Sequence, residues 1–275
     1  MKIILSRKGF DSSAGKQANP MMPDGTLLSL PIPEEEDADM YSLLQWKGIS
    51  YYDIIRSLNP KTHLLPYSKC HLDPDLRSDV KERQDGWRPA FGQMRASLSH
   101  LRNQEVSIGD IFLFFGWFRD TEIKDGRLRY KKGGLDAHII YGYMQIGKII
   151  ERKEDAPKWL KEHPHFLYDQ SWSINRNAIF LPSEVLSIQP SMNGCGILDY
   201  RRDRVLTKDG YSRQYWDLPQ FFKEVNISYN AKSWQQDIFK SAGRGQEFVM
   251  EATPDILNWV EQIILPKFRN LVKFI

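Results

Sequence analysis

A chain of 275 residues, 41% hydrophobic and 27% charged, is long enough to bury a core without covalent staples and is not composed like a disordered protein. Its 38 basic and 35 acidic side chains leave a net charge of +3, too mild to assign a nucleic-acid partner by charge alone. Cys70 and Cys195 have no CxxC spacing, the apolar start Met1 to Leu5 is too short for a signal core, and no run reaches the ~20 apolar residues of a membrane span, so a soluble, cytoplasmic, single-domain protein is expected.

Lys2 to Ser6 reads as a short buried strand that runs into the polar, glycine-closed loop Arg7 to Gly15. A strand is expected over Thr26 to Leu30, followed by the acidic loop Glu34 to Asp39. Ser50 to Leu58 is predicted helical, with Ser50 as cap and Ile54, Ile55 and Leu58 on its apolar side. Phe91, Met94, Leu98 and Leu101 have helical spacing, which predicts a helix over Phe91 to Arg102. Ile111 to Phe115 is apolar on both faces and reads as a central strand. Ala137 to Ile150 is a second long strand, with Gly142 and Gly147 marking bulges or close backbone approach. Between them Asp125-Gly126 is a type I′ hairpin signal in a basic stretch, so a projecting basic hairpin is expected. Glu151 to Gln170, with His163-Pro164-His165, reads as a charged surface connection. Ile179 to Leu181 and Gly196 to Leu198 read as short strands, and Thr253-Pro254 starts an amphipathic C-terminal helix.

Five groups of residues are candidates for a site. Arg7, Lys8, Asp11 and Ser12 lie in a strand-end loop that can grip phosphate through cations and backbone N–H groups; the bland reading is a turn in which Asp11 caps local N–H groups. His71, Asp73 and Asp75 alternate, so an extended chain puts them on one face. A metal there is set aside, because Asp73-Pro74 is also a routine helix start, and a carboxylate base or ligand contact is preferred. Gln93 and His100 would share a helix face, with Asn103, Gln104, Trp117 and Arg119 nearby, a set able to read and stack on a heterocycle. The bland alternative is a polar outer helix face. His138 is usually a structural type of residue and joins the catalytic set if it faces a glycine-marked strand end. Finally Arg244, Gln246 and Glu247 follow Gly243 and flank Gly245, where a carboxylate could stabilise a developing oxocarbenium ion; the alternative is a turn with a surface ion pair. No P-loop, nucleophile elbow, HExxH, zinc-finger spacing or GxGxxG occurs.

Taken together, Ile3 to Ser13, Leu28 to Pro33, His71 to Leu76, Gly109 to Arg119 and Arg244 to Phe248 resemble, in order, the third class of nucleotide modification associated domains. The chain departs from that pattern at Ala14-Gly15, where a glycine pair is expected. The resemblance implies a role in modifying nucleic-acid bases, and it does not supply a reaction or a cofactor. Gly109 to Ile150 is also similar to a segment of PUA-like and EVE-like barrels, which cradle an extruded base.

The expected fold is α+β, with a central mixed or barrel-like sheet, PUA-like around residues 105–190, surrounding helices and a C-terminal amphipathic helix. Three functions follow. The first is an enzyme acting on a nucleotide or DNA base, with Asp11, Asp73, His138 and Glu247 catalytic, Arg7 and Lys8 on phosphate, and Gln93, Asn103 and Trp117 on the base. The second is a non-catalytic reader of modified bases. The third, from a faint likeness of Gln246 to Val249 to a catalytic-glutamate segment, is NAD-dependent ADP-ribosyl transfer. DNA or a nucleotide is the expected partner, with no membrane.

Overall fold

Strands that are apolar on both faces belong inside a sheet. In the computed structural model, which describes residues 1–229, 233–243 and 246–266, Ile3 to Leu5 and Ile111 to Phe115 lie in its middle. The strands are β1 (Lys2–Arg7), β2 (Asn19–Met21), β3 (Phe91–Met94), β4 (Ile111–Lys124), β5 (Arg127–Tyr130), β6 (Asp136–Ile150), β7 (Asn177–Pro182), β8 (Cys195–Ile197) and β9 (Glu247–Glu251). They form one nine-stranded, half-barrel sheet with the main order β9-β1-β4-β6-β7-β3. β2 and β5 pair with β4, and β8 pairs with β6. β1 and β2 run parallel to β4, while the other pairs are antiparallel.

Alternation then assigns the faces. Ile3, Leu5, Ile111, Leu113 and Phe115 point into a core completed by Trp216, Phe222 and the helix Pro254–Ile264. Ile4, Phe112 and Phe114 point the other way, onto Phe91 and Phe180. A third cluster beside the sheet joins Phe10, Tyr41 and helix α1 (Tyr51–Leu58). The remaining helices are α2 (Arg95–Asn103), α3 (Asp169–Ser173) and α4 (Pro254–Ile264). Ser50 caps α1 by accepting from the Asp53 N–H, and Thr253 caps α4 by accepting from Ile256. The β4–β6 register shifts between Ile140 and Gly142, and the β6–β7 register between Ile146 and Lys148, as the two glycines foretold. Among the described residues no helix is long and apolar enough to cross a membrane.

Several expectations are overturned. The helix over 91–102 is instead β3 followed by α2, joined at Arg95 with φ +52°. Asp73-Pro74 starts no helix; the chain bends at Pro74 and Asp75 bridges Ala90. Thr26 to Leu30 holds only an isolated bridge, Met21 to Leu27. The basic hairpin does form, with Asp125 and Gly126 both at positive φ, but it lies against α1, where Ser57 Oγ donates to Leu128 O at 2.7 Å. Residues 151–170 are not merely a surface connection, because His163 and His165 are buried there.

Candidate functional site

The first loop leaves the sheet between β9 and β4. Arg7 N donates to Gln246 O, and Lys8 N donates to Phe115 O. Asn19, fully buried, then fixes the loop: its Oδ1 accepts from Phe10 and Leu30, and its Nδ2 donates to Phe10 O and Trp117 O. Gly9 sits at φ +79°, and a Cβ there would come within 2.5 Å of Ser29 Oγ, so the turn requires glycine. The loop's cations therefore rise from a rigid base.

Two clefts meet at this loop. Arg7, Asp11, Ser13 and Gln246 line both. Arg7 donates to Gly243 O at 2.8 Å, and burial lowers its pKa from the ordinary value. Asp11 Oδ1 accepts from Ser13 N, Ser13 Oγ and Ala14 N, all at 2.7 Å or less. Burial pushes this carboxyl up, but those bonds outweigh it and hold it below the usual range. Asp11 is thus the local cap of the bland reading, and an engaged carboxylate of this kind is a poor base. Ser12 lines only the larger cleft.

The smaller cleft, about 250 Å³, has a wall of His71, Asp73 and His165. One ligand atom from each lies within 4.8 Å of the others. His71 Nδ1 is 2.7 Å from Asp37 Oδ2, and Tyr168 donates to Asp37 Oδ1 at 2.9 Å. Burial lowers the His71 pKa, but the Asp37 bond and the Asp73 charge outweigh it, leaving it raised. Asp73 Oδ1 accepts from Gly92 N at 2.6 Å and lies 3.3 Å from His163 Nε2. Burial opposes its ionisation, yet His163 and the neighbouring imidazoles hold it down to about 2. His165 is pushed down to about 3 by burial and is neutral. Its Nδ1 meets Asn177 Oδ1 at 2.8 Å, while Asn177 Nδ2 donates to His165 O. That amide orientation makes Nδ1 the proton carrier and leaves Nε2 a bare lone pair.

Behind this wall Glu247 is fully buried. Its Oε1 accepts from Lys8 Nζ at 2.9 Å and from Gln93 Nε2 at 2.5 Å, and its Oε2 has no hydrogen-bond partner among the described residues. Lys8 also lies over the Phe91 ring. Glu247 cannot touch a substrate from this position, because nothing of it is exposed; it positions Lys8 and Gln93. Gln93 also accepts from Met94 N, so both ends of its amide are engaged.

The larger cleft, about 840 Å³, is lined by Trp117, His138 and Arg213. Arg213 stacks 3.7 Å over Trp117, whose indole donates to Asp136 at 2.7 Å. His138 Nδ1 accepts from Trp216 Nε1 at 3.0 Å, and burial pushes the ring down to about 3. It is therefore neutral with its proton on Nε2, and faces the cleft as a hydrogen-bond donor.

Other expected members stand elsewhere. Asp75 is tied to both terminal nitrogens of Arg83 at 2.7 and 2.6 Å. His100 contacts Ser228 and stacks on Tyr229, while Asn103 and Gln104 sit at the end of α2. The predicted shared face with Gln93 is lost because Gln93 is in β3. Arg119 pairs with Asp136 and covers Tyr130. Arg244 and Gly245 lie outside the described residues. Sequence reasoning missed His163, His165, Asn177, Asp37 and Arg213; only the His163-Pro164-His165 pair was visible as a signal.

No curated protein and no solved structure matches the chain. The model of nucleotide modification associated domain 3 matches residues 2–251, and the chain belongs to that family.

Proposed function

We propose that the two clefts bind a nucleotide, or a base extruded from a nucleic acid, and that the smaller cleft carries out its modification. The observation that carries this reading is the convergence of Arg7 and Lys8 with His71, Asp73 and His165 around one 250 Å³ space that shares Arg7, Asp11, Ser13 and Gln246 with the larger cleft. A volume of about 840 Å³ suits a nucleotide-sized ligand. Arg7 and Lys8 offer charge-assisted hydrogen bonds to phosphate at the junction. Arg213, Trp117 and the Nε2–H of His138 supply a cation, a ring edge and a donor to the rest of the ligand. The ionised Asp73 can orient a water or a substrate amine or hydroxyl.

The reader alternative calls for an open aromatic cradle, but the face of Trp117 is covered by Arg213. ADP-ribosyl transfer calls for an accessible glutamate, and Glu247 is fully buried. Both observations favour the enzyme.

The test is mass spectrometry of nucleosides and nucleotides from cells producing the wild-type protein or Asp73→Asn. A species of altered mass in the wild-type sample alone is expected. Identical profiles, with no nucleotide or oligonucleotide bound by the purified wild-type protein in calorimetry, would overturn the reading.

A further inference from the structure

We propose that His71, Asp73 and His165 form a binding site for a divalent first-row transition metal, held through His71 Nε2, the Asp73 carboxylate and His165 Nε2. This does not rest on the nucleotide reading. The alternation of His71, Asp73 and Asp75 offers Asp75 as the third ligand, but Asp75 is tied to Arg83, and His165 stands in its place.

Three observations carry the proposal. One ligand atom from each of the three residues lies within 4.8 Å of the others. Bonds of about 2.1 Å in a tetrahedral shell place ligand atoms about 3.4 Å apart, so the side chains need to close by at most about 1.4 Å.

The second observation is the outer layer of contacts. Metal-binding imidazoles commonly donate their other N–H to a carboxylate or carbonyl, which fixes the tautomer and aims the free nitrogen. Here His71 Nδ1 lies on Asp37, which is itself fixed by Tyr168, and His165 Nδ1 lies on Asn177. Asp73 is fixed in turn by Gly92 N–H.

The third is an electrostatic mismatch in the cluster. The bare Nε2 of His165 faces Asp73 Oδ2 at 3.9 Å, an acceptor opposite an acceptor, both almost wholly buried. A lone pair and a carboxylate set against each other in a buried setting call for a cation between them. Gly92 permits this approach: a Cβ there would fall 2.1 Å from the His165 ring.

Two imidazoles and one carboxylate suit iron, cobalt, nickel or zinc in the divalent state, and three protein ligands leave coordination positions open toward the cleft. The hard ions magnesium and calcium, which prefer all-oxygen shells, are excluded by the donor set.

The experiment uses the full chain stripped with a chelator and dialysed. Cobalt(II), zinc(II) and anaerobic iron(II) are added, excess is removed by gel filtration, and retained metal is counted by mass spectrometry. Close to one ion per chain is expected, with a visible cobalt spectrum and a higher melting temperature. His71→Gln and His165→Gln should each lose the retained ion, Asp37→Asn should weaken binding about 10-fold or more, and the exposed His63→Ala should keep it. Should the histidine variants fail to fold, the wild-type protein decides the matter: metal must protect His71 and His165 from diethylpyrocarbonate, with modified sites mapped by peptide mass spectrometry. No retained ion on folded wild-type protein, retention in both folded histidine variants, or protection confined to other histidines overturns the proposal.

Discussion

Lys8 and Glu247 form an ion pair of 2.9 Å that ties the first loop to the last strand of the sheet, with the carboxylate fully buried and the ammonium nearly so. Buried pairs contribute little as such, but removing one partner strands the other charge, which costs roughly 3–5 kcal/mol. Glu247→Gln is therefore expected to lower stability by about that amount and to displace Lys8 from the cleft wall. Replacing both, Lys8→Met with Glu247→Leu, should recover much of the loss. Urea unfolding of the three variants checks this; a Glu247→Gln protein as stable as wild type contradicts the positioning role.

A pH dependence follows from the two neutral buried histidines. His138 and His165 are both pushed down to about 3 by burial, whereas an unfolded histidine titrates near ~6.5. A group whose folded pKa is depressed binds its proton more readily in the unfolded chain. Its contribution is thus complete above the unfolded value and is lost as pH falls toward the folded one. Between pH ~6.5 and ~3 the unfolded state takes up about two more protons from this pair, so each histidine removes about 2 kcal/mol by pH ~5. His71, whose pKa is raised by Asp37, acts in the opposite direction, adding stability as pH falls toward the unfolded value and so partly offsetting the loss at the upper end of the range. Unfolding free energy measured from pH 7 to 5 should fall steeply, and replacing His138 with Gln should roughly halve the slope.

How much of this was legible depends on the range of the interactions involved. β1, β4 and β6 were readable because double-sided burial writes a continuous apolar run into the sequence. The starts of α1 and α4 were readable because Ser50 and Thr253 act on N–H groups three residues away. Phe91 to Arg102 misled because Phe91, Met94, Leu98 and Leu101 keep helical spacing while Phe91 is claimed by Phe112, Phe114 and Phe180 across the sheet. In the cleft, Arg7, Lys8, His71 and Asp73 were found from local composition. His165 was not, since its burial is set by Asn177 and by the bare backbone of Gly92, contacts that leave no local pattern around residue 165. Glu247 was found for the wrong reason: a polar turn was expected to display it, and the β1–β9 ladder buries it.

Gly92 gives a sharper test of the cleft wall. Substitution by Ala places a methyl 2.1 Å from the His165 ring, a distance that non-bonded carbon atoms do not tolerate. The imidazole must move or β3 must bend, and overpacking of this kind costs typically ~1–3 kcal/mol. The effect should also be local. Gly92→Ala is expected to shift the His165 ring resonances and those of Asn177, while the indole signals around Trp216, on the other core, remain in place. A variant with wild-type stability and an unmoved His165 would show that the ring is not seated on this strand.

The larger cleft is tested through the Arg213–Trp117 stack. The guanidinium lies 3.7 Å from the ring centroid, and the indole N–H is held by Asp136. Arg213 lines the cleft beside Arg7, so an anion bound there would draw both guanidiniums toward it and change the environment of this indole. Titration with a nucleoside diphosphate should therefore alter tryptophan emission in the wild-type protein and in Arg213→Lys, and leave it unaltered in Trp117→Phe. Arg213→Ala should weaken binding about 10-fold or more, the loss of a charge-assisted contact, and raising salt from 50 to 300 mM should weaken the wild type in the same direction because contacts to phosphate at an open cleft are screened. An emission change that persists in Trp117→Phe would place the ligand away from this stack and leave the larger cleft without its assigned role.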